Sequence, residues 1–268
     1  MGWPVAHSLS PAVHGYWLRH YRIDGAYTRE AVRPEELAAA LRRLRSEGWR
    51  GCNLTIPHKE AALRLVDRVD GAARRVGAVN TVVIEDSRLA GYNTDGFGFI
   101  ENLRQAIVGF DAKAGPAVVL GAGGAARAVV DALSEAGAPQ IRIANRSLER
   151  ARTLARYLGG AIEPVPWEER AAALAGAALL VNTTSLGMEN QPPLELDLAR
   201  LPPTAVVNDI VYVPLETALL KAAKARGHRV VDGLGMLLHQ ARPGFERWFG
   251  VMPDVTPELR GAVLAAMR

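Results

Sequence analysis

The sequence predicts an α/β protein made of two domains, and two patterns of elements support that prediction. From residue 117 onward, short apolar strands alternate with helices across short links, as in a parallel sheet with helices on both faces. Residues 1–108 also alternate helices with short strands, but they include two successive strands joined by a polar turn. We therefore expect domains at 1–108 and 109–232, with helices at 233–268 that return to the first domain.

In the first domain, apolar spacing and turn residues place the elements. Leu37, Leu41 and Leu44 recur at helical spacing, and the polar turn at 85–87 separates two apolar strands. The predicted elements are helices at 11–21, 34–47 and 58–69, strands at 26–32 and 50–56, two strands within 79–93, and a helix that begins at Asp95.

The first helix begins in an unusual stretch, VAHSLSPAVH, which contains two hydroxyl side chains. Ser10 precedes Pro11, and this pairing predicts a helix start with Ser10 as the N-cap. A cap explains Ser10 but leaves the hydroxyl of Ser8 without a local role.

In the second domain, strands and helices alternate and the links between them are short. The first strand, AVVL, is apolar throughout, as expected for a strand buried on both faces of a sheet. The predicted strands are at 117–120, 140–147, 178–185, 205–212 and 229–233, and the predicted helices are at 121–137, 148–159, 214–227, 233–249 and 257–267.

The composition is that of an ordinary soluble globular protein, with 49% hydrophobic and 22% charged residues. The net charge of +4 is spread along the helices, so we expect a small anionic ligand rather than a nucleic acid.

Cys52 is the only cysteine, which excludes an internal disulfide, and its apolar neighbours predict a buried thiol. No apolar run reaches ~18 residues, the length that a membrane-spanning helix needs, so no such helix is expected. We expect a cytoplasmic monomer or homodimer without a membrane partner.

The segment GAGGAA at 121–126 follows the apolar strand and opens a helix, which is the context of the dinucleotide-binding motif of Rossmann-type domains. Gly121 permits the tight turn, and Gly123 lets backbone N–H groups approach a pyrophosphate. Ala126 allows the helix to pack closely on the strand. The helix N-terminus adds partial positive charge. The sequence therefore predicts a doubly wound domain that binds a dinucleotide.

The end of the next strand indicates which dinucleotide is bound. An NAD site carries Asp or Glu there, whereas this strand ends in Asn145, Arg146 and Ser147. The Arg146 guanidinium can pair with a 2′-phosphate and stack on adenine, and Arg150 lies about one helical turn further on. These residues favour NADP over NAD as the cofactor.

A set of polar residues has no shared explanation in packing, although each has a structural explanation by itself, such as a surface amine, a turn former or a helix cap. The set comprises Asn53, Thr55 and Lys59 in NLTIPHK, Asn80 in GAVNT, Asp95 in YNTDG and Gln240 in MLLHQA. The six histidines show no ligand spacing, so no metal is expected.

Together these stretches resemble the shikimate dehydrogenase family over nearly the whole chain. The similar stretches are, in order, GWPVAHSLSPAVH, NLTIPHK, GAVNTV, GYNTDGFG, GAGGAARA, NRS, NTTSLGM, DIVYVPLETALL and DGLGMLLHQA. The chain departs from the family pattern at three places. Only Met1 precedes Gly2, where the family has a complete strand; Gly15 stands where Asn is usual; and Ser147 stands where Thr is commoner.

The resemblance implies a role for each matching residue. It implies that Lys59 and Asp95 are catalytic, and that Ser8 and Ser10 hold a substrate carboxylate. The further substrate contacts implied are Thr55, Asn80, Tyr212 and Gln240. The cofactor contacts implied are Gly121, Ala122, Gly123, Gly124, Ala125, Asn145, Arg146, Ser147 and Arg150, with Ile210, Gly233 and Met236 near the nicotinamide.

The activity implied is the reversible reduction of 3-dehydroshikimate to shikimate with NADPH. Hydride delivery to carbon requires a proton for the developing alkoxide, which Lys59 can donate while Asp95 orients a substrate hydroxyl or shares the proton. Whether Lys59 donates that proton or acts as an electrostatic clamp stays open. Two alternatives remain: a quinate/shikimate dehydrogenase using NAD or NADP, and a non-catalytic NADP-binding sensor. The first would carry an acid near Arg146, and the second would lack Lys59 or Asp95.

Overall fold

The computed structural model describes residues 1–267 and contains two compact units. Unit 1 is formed by Met1–Gly98 and Leu238–Arg268, and unit 2 by Phe99–Leu237. The chain from Leu238 onward thus belongs to the first unit, in agreement with the predicted fold class. The division of functions at 108/109 and 232/233 stays a prediction.

Unit 1 combines a small mixed sheet with helices. Its strands run in the order β1-β3-β4-β2; β3 is antiparallel to β1 and β4, and β2 is parallel to β4. The elements are α1 (Ser10–His20), α2 (Leu37–Ser46), β1 (Gly51–Asn53), β2 (Arg68–Val69), α3 (Gly71–Val76), β3 (Thr81–Glu85), β4 (Arg88–Tyr92), α4 (Asp95–Ala106, which continues into unit 2), α8 (Leu234–Phe249, which begins in unit 2) and α9 (Pro257–Ala265).

The core of unit 1 lies where α2 packs on this sheet. Leu37, Leu41 and Leu44 are about 1% exposed, which confirms the helical spacing seen in the sequence. Cys52 of β1 belongs to the same cluster, and burial raises the pKa of its thiol to about 11, so it stays protonated.

Two predicted elements of unit 1 are wrong. The segment 26–32 is not a strand, and Ala31 forms only an isolated bridge with Gly2. The segment 58–69 is not one helix, because a short 3₁₀ turn at Ala61–Arg64 is followed by β2. Its apolar residues pack toward the core from irregular backbone, and helical periodicity alone does not distinguish this arrangement from a helix.

The first residues of the chain are hydrogen-bonded on both sides. Thr55 donates its backbone N–H to the carbonyl of Met1 (3.0 Å), and Val32 donates to the carbonyl of Gly2 (3.1 Å). The residues before the first helix motif are therefore held between two other segments of unit 1.

Unit 2 is built around a parallel sheet with the strand order β10-β9-β8-β5-β6-β7. Its elements are β5 (Ala117–Leu120), α5 (Gly124–Glu135), β6 (Ile141–Asn145), α6 (Leu148–Leu158), β7 (Ile162–Pro166), β8 (Leu179–Asn182), β9 (Val206–Asp209), α7 (Ala218–Ala225) and β10 (Arg229–Val231). This is the doubly wound order, in which the winding reverses between β5 and β8. The predicted Rossmann-type architecture is confirmed.

The sequence prediction missed β7, which lies at the edge of this sheet. Pro164 and Pro166 argue against a strand when the sequence is read alone, but an edge strand has one side that needs no ladder hydrogen bonds. The central strands β5 and β8 are buried along their whole length, with apolar clusters on both faces of the sheet. Among the described residues, no helix is both long and apolar enough to cross a membrane.

Candidate active site

An ion pair lies at the centre of the polar residues of unit 1. The Lys59 Nζ donates to Asp95 Oδ2 at 2.6 Å. Both side chains are partly buried, with 30% of Lys59 and 14% of Asp95 exposed. A partly desolvated pair is screened less than a surface pair, so the ammonium and carboxylate hold each other in place while remaining accessible to a ligand.

Asn80 and Gln240 extend this pair into a network. Asn80 Nδ2 donates to Asp95 Oδ1 at 2.7 Å and lies 3.3 Å from Gln240 Oε1. Asn80 itself is 2% exposed. The predicted residues from four separate segments therefore lie together: Lys59, Asn80, Asp95 and Gln240.

The backbone explains how these segments meet. Val79 donates its N–H to the carbonyl of Lys59 (2.8 Å), which ties the loop after β1 to the start of β3. Asp95 is the first residue of α4, and its N–H donates to Asn93 Oδ1 at 3.1 Å. Gln240 comes from α8. Two helices thus present Asp95 and Gln240, and a backbone hydrogen bond holds the loop that presents Lys59.

The serine pair behaves differently from the expectation. The N-cap residue of α1 is Leu9, and Ser10 is the first helical residue with no capping bond, so its predicted N-cap role is wrong. Ser8 Oγ instead accepts the N–H of Ser10 at 3.3 Å. The local hydroxyl–backbone turn is therefore made by Ser8, which leaves the Ser10 side chain available for other partners. Thr55 lies on the exposed loop after β1.

Tyr27 and Thr81 lie near this network, and the sequence predicted no role for either of them. Tyr27 Oη donates to Asn53 Oδ1 at 2.6 Å, and Asn53 Nδ2 donates to Thr81 Oγ1 at 3.0 Å. Asn53 stood in a noted motif, but nothing in the sequence pairs it with Tyr27, which lies in a segment without regular structure.

In unit 2, the motif GAGGAA forms the turn from β5 into α5. Gly121 has a φ of +109°, and a Cβ there would lie 2.7 Å from Thr183 Oγ1, so only glycine fits. A Cβ at Gly123 or Gly124 would meet nothing within 4 Å. Gly123 is the N-cap of α5 and makes no side-chain capping bond, so the first amides of the helix are available to an anion.

The end of β6 presents cationic side chains beside this turn. Asn145 Nδ2 donates to the carbonyl of Ser147 at 2.9 Å, and Ser147 is the N-cap of α6. Arg146 and Arg150 are exposed, and neither forms an ion pair within residues 1–267. The chemistry of these donors fits a phosphate group.

The three residues expected near a nicotinamide lie in unit 2. A Cβ on Gly233 would lie 2.1 Å from the carbonyl oxygen of Ile210, so the two backbones touch. Met236 and Ile210 pack on the same apolar cluster. Tyr212 follows β9, and burial raises the pKa of its hydroxyl.

One further buried carboxylate supports the loops of unit 2. Asp209 accepts bonds from Asn182 Nδ2 (2.9 Å), the N–H of Val211 (3.0 Å) and Thr217 Oγ1 (2.7 Å). Burial raises its pKa to about 6, although these three donors act in the opposite direction. Among the described residues, no group of three or more His, Cys, Asp or Glu side chains is arranged to hold a metal ion.

A doubly wound dinucleotide-binding unit, combined with a unit that holds a lysine–aspartate pair, defines the class of two-domain oxidoreductases. Three family models match this chain: the shikimate dehydrogenase substrate binding domain at 1–82, shikimate/quinate 5-dehydrogenase at 102–189, and the shikimate 5′-dehydrogenase C-terminal domain at 233–264. The chain belongs to the shikimate dehydrogenase family.

Individual relatives agree with this assignment. The NADP(+) shikimate dehydrogenase of Paramagnetospirillum magneticum is 60% identical, covering 99% of this chain and 96% of that protein. The structure of shikimate 5-dehydrogenase from Thermus thermophilus in complex with NADP(H) and shikimate is 43% identical with a TM-score of 0.88, covering 99% of this chain and 97% of that chain. Quinate dehydrogenase from Corynebacterium glutamicum in complex with NAD is 33% identical with a TM-score of 0.91, covering 98% of this chain and 96% of that chain.

Proposed function

We propose that this chain catalyses the reversible NADP-linked interconversion of shikimate and 3-dehydroshikimate. The observation that carries the proposal is the Lys59–Asp95 pair, joined by Asn80 to Gln240, in a chain 60% identical to an NADP(+) shikimate dehydrogenase. A charged, hydrogen-bonded and partly exposed cluster of this kind suits a small substrate with several hydroxyl groups.

Lys59 is the group to which we assign proton exchange with the reacting oxygen. Its ammonium has three donors, of which one is used by Asp95, so a second can reach a substrate oxygen without breaking the pair. Asp95 keeps the ammonium in place and can accept a proton from a substrate hydroxyl. NADPH, when bound, supplies the hydride.

The remaining polar residues are assigned to substrate binding. Ser8 and Ser10, at the start of α1, are proposed to donate to a carboxylate, with Thr55 and Gln240 donating or accepting at the hydroxyl groups. Tyr212 is proposed as a further contact. A hydroxyl-rich substrate needs such a ring of donors and acceptors, because each buried hydroxyl must keep its hydrogen bonds.

NADP is proposed to bind in unit 2, at the turn after β5 and the end of β6. The α5 amides and the open space at Gly123 and Gly124 suit a pyrophosphate, and Arg146 with Arg150 suits a 2′-phosphate. The neighbouring residues assigned to the same site are Gly121, Ala122, Ala125, Asn145, Ser147, Ile210, Gly233 and Met236. A cytoplasmic location belongs to the proposal, since Cys52 is a buried free thiol.

Backbone shape alone does not separate shikimate from quinate as the substrate. The quinate dehydrogenase structure has a TM-score of 0.91 and the shikimate dehydrogenase structure one of 0.88. The side chain of Arg146 favours NADP, which argues for the shikimate enzyme. A non-catalytic sensor is disfavoured because Lys59 and Asp95 are present and paired.

The test is a spectrophotometric assay of the native chain with NADP⁺ or NAD⁺ and with shikimate or quinate. We expect the highest kcat/KM with NADP⁺ and shikimate. Turnover of neither substrate would refute the enzymatic function. Higher kcat/KM with NAD⁺ would refute the role of Arg146, and higher kcat/KM with quinate would favour the alternative enzyme.

A further inference from the structure

A continuous series of hydrogen bonds in unit 1 connects Tyr27 to Asp95. Tyr27, Asn53 and Thr81 form its first part, and each lies on a different segment. None of the three has a part in the proton exchange proposed above, so their arrangement calls for a separate explanation.

The orientation of the Asn80 amide is fixed by its neighbours. The backbone N–H of Thr94 donates to Asn80 Oδ1 at 2.9 Å, and a backbone N–H can only donate. The Asn80 Nδ2 therefore faces the other way and donates to Asp95 Oδ1 at 2.7 Å. Thr81 Oγ1 lies 3.0 Å from Asn80 Oδ1, so the threonine hydroxyl donates to it.

The Asn53 amide is fixed in the same manner. Its Nδ2 donates to the backbone carbonyl of Asn80 at 3.2 Å, and a carbonyl oxygen can only accept. The same Nδ2 donates to Thr81 Oγ1 at 3.0 Å, and the Asn53 Oδ1 faces Tyr27 Oη at 2.6 Å. The tyrosine hydroxyl is thus the donor in this last bond.

Tyr27 is the first member of the series, and its hydroxyl gives its only proton to Asn53. Burial raises the pKa of Tyr27, so it keeps that proton. The imidazole of His14 stacks on the tyrosine ring with centroids 4.1 Å apart and planes 6° apart. Burial lowers the pKa of His14 to about 3, so this stacked ring is neutral.

Every bond in the series therefore has the same direction, from the Tyr27 hydroxyl to the Asp95 carboxylate. Hydrogen bonds in such a chain polarise one another, and an ionised acceptor at the end strengthens them. Loss of one hydroxyl of the series would leave its amide held by fewer hydrogen bonds, and the orientation of the carboxylate would be less firmly fixed.

We propose that the hydroxyls of Tyr27 and Thr81 are positioning groups that hold the Asp95 carboxylate in the orientation the reaction requires. They act through the amides of Asn53 and Asn80. This inference rests on the proposed function, because it is there that Asp95 is assigned to the catalytic pair.

The experiment compares Tyr27→Phe, Thr81→Val and the double variant for shikimate oxidation with NADP⁺. Tyr27→Phe removes the donor to Asn53 Oδ1, and Thr81→Val interrupts the series between the two amides, so we expect kcat to fall about tenfold in each. The KM for NADP⁺ stays within about twofold, since that site lies in unit 2. Because both hydroxyls serve one series, the double variant falls about 10- to 30-fold rather than about 100-fold.

Two matched controls separate positioning from packing. Thr81→Ser keeps the hydroxyl but changes the shape, and it retains at least about half of the native kcat, whereas the isosteric Thr81→Val does not. Tyr16→Phe removes a tyrosine hydroxyl on α1, and its kcat equals the native value. If Tyr27→Phe fails to fold, as judged by its thermal transition, the serine–valine comparison at position 81 decides.

Three results would overturn the inference: native kcat in Tyr27→Phe, equal kcat in Thr81→Ser and Thr81→Val, or losses that multiply in the double variant. Any of these, in a native chain that oxidises shikimate, leaves the proposed function standing. A native chain that does not oxidise shikimate overturns the function and the inference together.

Discussion

The candidate sites of the two units differ in how their polar groups are satisfied. In unit 1, Lys59, Asn80, Asp95 and Gln240 come from separate segments and are bonded to one another. In unit 2, the turn at 121–126 is contiguous, and the first amides of α5 have no side-chain cap. The first site is assembled by tertiary structure, whereas the turn proposed to bind the pyrophosphate in the second is formed by a single strand–turn–helix.

This difference has a chemical consequence. Unpaired backbone amides at a helix N-terminus attract anions of many kinds, so a local turn is sufficient to bind phosphate. Proton exchange requires groups held in a fixed geometry, and a network of mutual hydrogen bonds supplies that geometry. We therefore expect substitutions in unit 1 to affect kcat and those in the turn of unit 2 to affect stability or the KM for NADP⁺.

The largest effect is expected for Lys59→Ala. Removing the ammonium removes the proposed proton donor and leaves Asp95 without its cation, so kcat falls by about 10²- to 10⁴-fold. The KM for NADP⁺ stays near the native value. Steady-state kinetics measure both constants, and Lys221→Ala, an exposed lysine of α7, is the control. A variant with kcat within tenfold of native would show that Lys59 is not the proton donor.

The second largest effect is expected on the pH dependence of stability, through Asp209. This carboxylate is buried and accepts hydrogen bonds from three neutral donors, with no cation beside it among the described residues. Its pKa is raised from 3.8 to about 6 in the folded protein, so the folded form binds the proton more tightly than the unfolded chain. The stability from this group is therefore present at about pH 4 and is lost as the pH rises through about 6. The full difference is about 3 kcal/mol.

Asp209→Asn removes this titration, so the free energy of unfolding of the native chain falls relative to the variant between about pH 4 and pH 6. Urea unfolding of both proteins at several pH values measures the difference. The exposed Asp24→Asn is the control. Parallel curves for the native chain and the Asp209→Asn variant would mean that the carboxylate does not carry the raised pKa.

The smallest effect distinguishes two glycines of one turn. Gly121→Ala introduces a Cβ 2.7 Å from Thr183 Oγ1 at a φ of +109°, so it lowers the free energy of unfolding by about 1–3 kcal/mol. Gly123→Ala meets no atom within 4 Å, so its stability is near native while the KM for NADP⁺ rises. Urea unfolding and kinetics check both, and equal destabilisation of the two variants would contradict the assignment.

The sequence predicted most of unit 2 because its signals are local. Alternating strands and helices, short links and the glycine turn all lie within a few residues of one another. The exception was β7, whose prolines are tolerated only because the strand lies at the edge of the sheet. Unit 1 was predicted less well, since the apolar residues of 58–69 pack without forming a helix.

By itself, the sequence predicted a dinucleotide-binding turn at 121–126, and its resemblance to one family placed Lys59, Asn80, Asp95 and Gln240 in one set. Only the tertiary structure decided which atoms pair. In the structure, Ser8 rather than Ser10 makes the local bond between a hydroxyl and the backbone, and Tyr27 donates to Asn53. The physical reason is that a buried polar group must find its partner wherever the fold provides one, and that partner can lie anywhere along the chain.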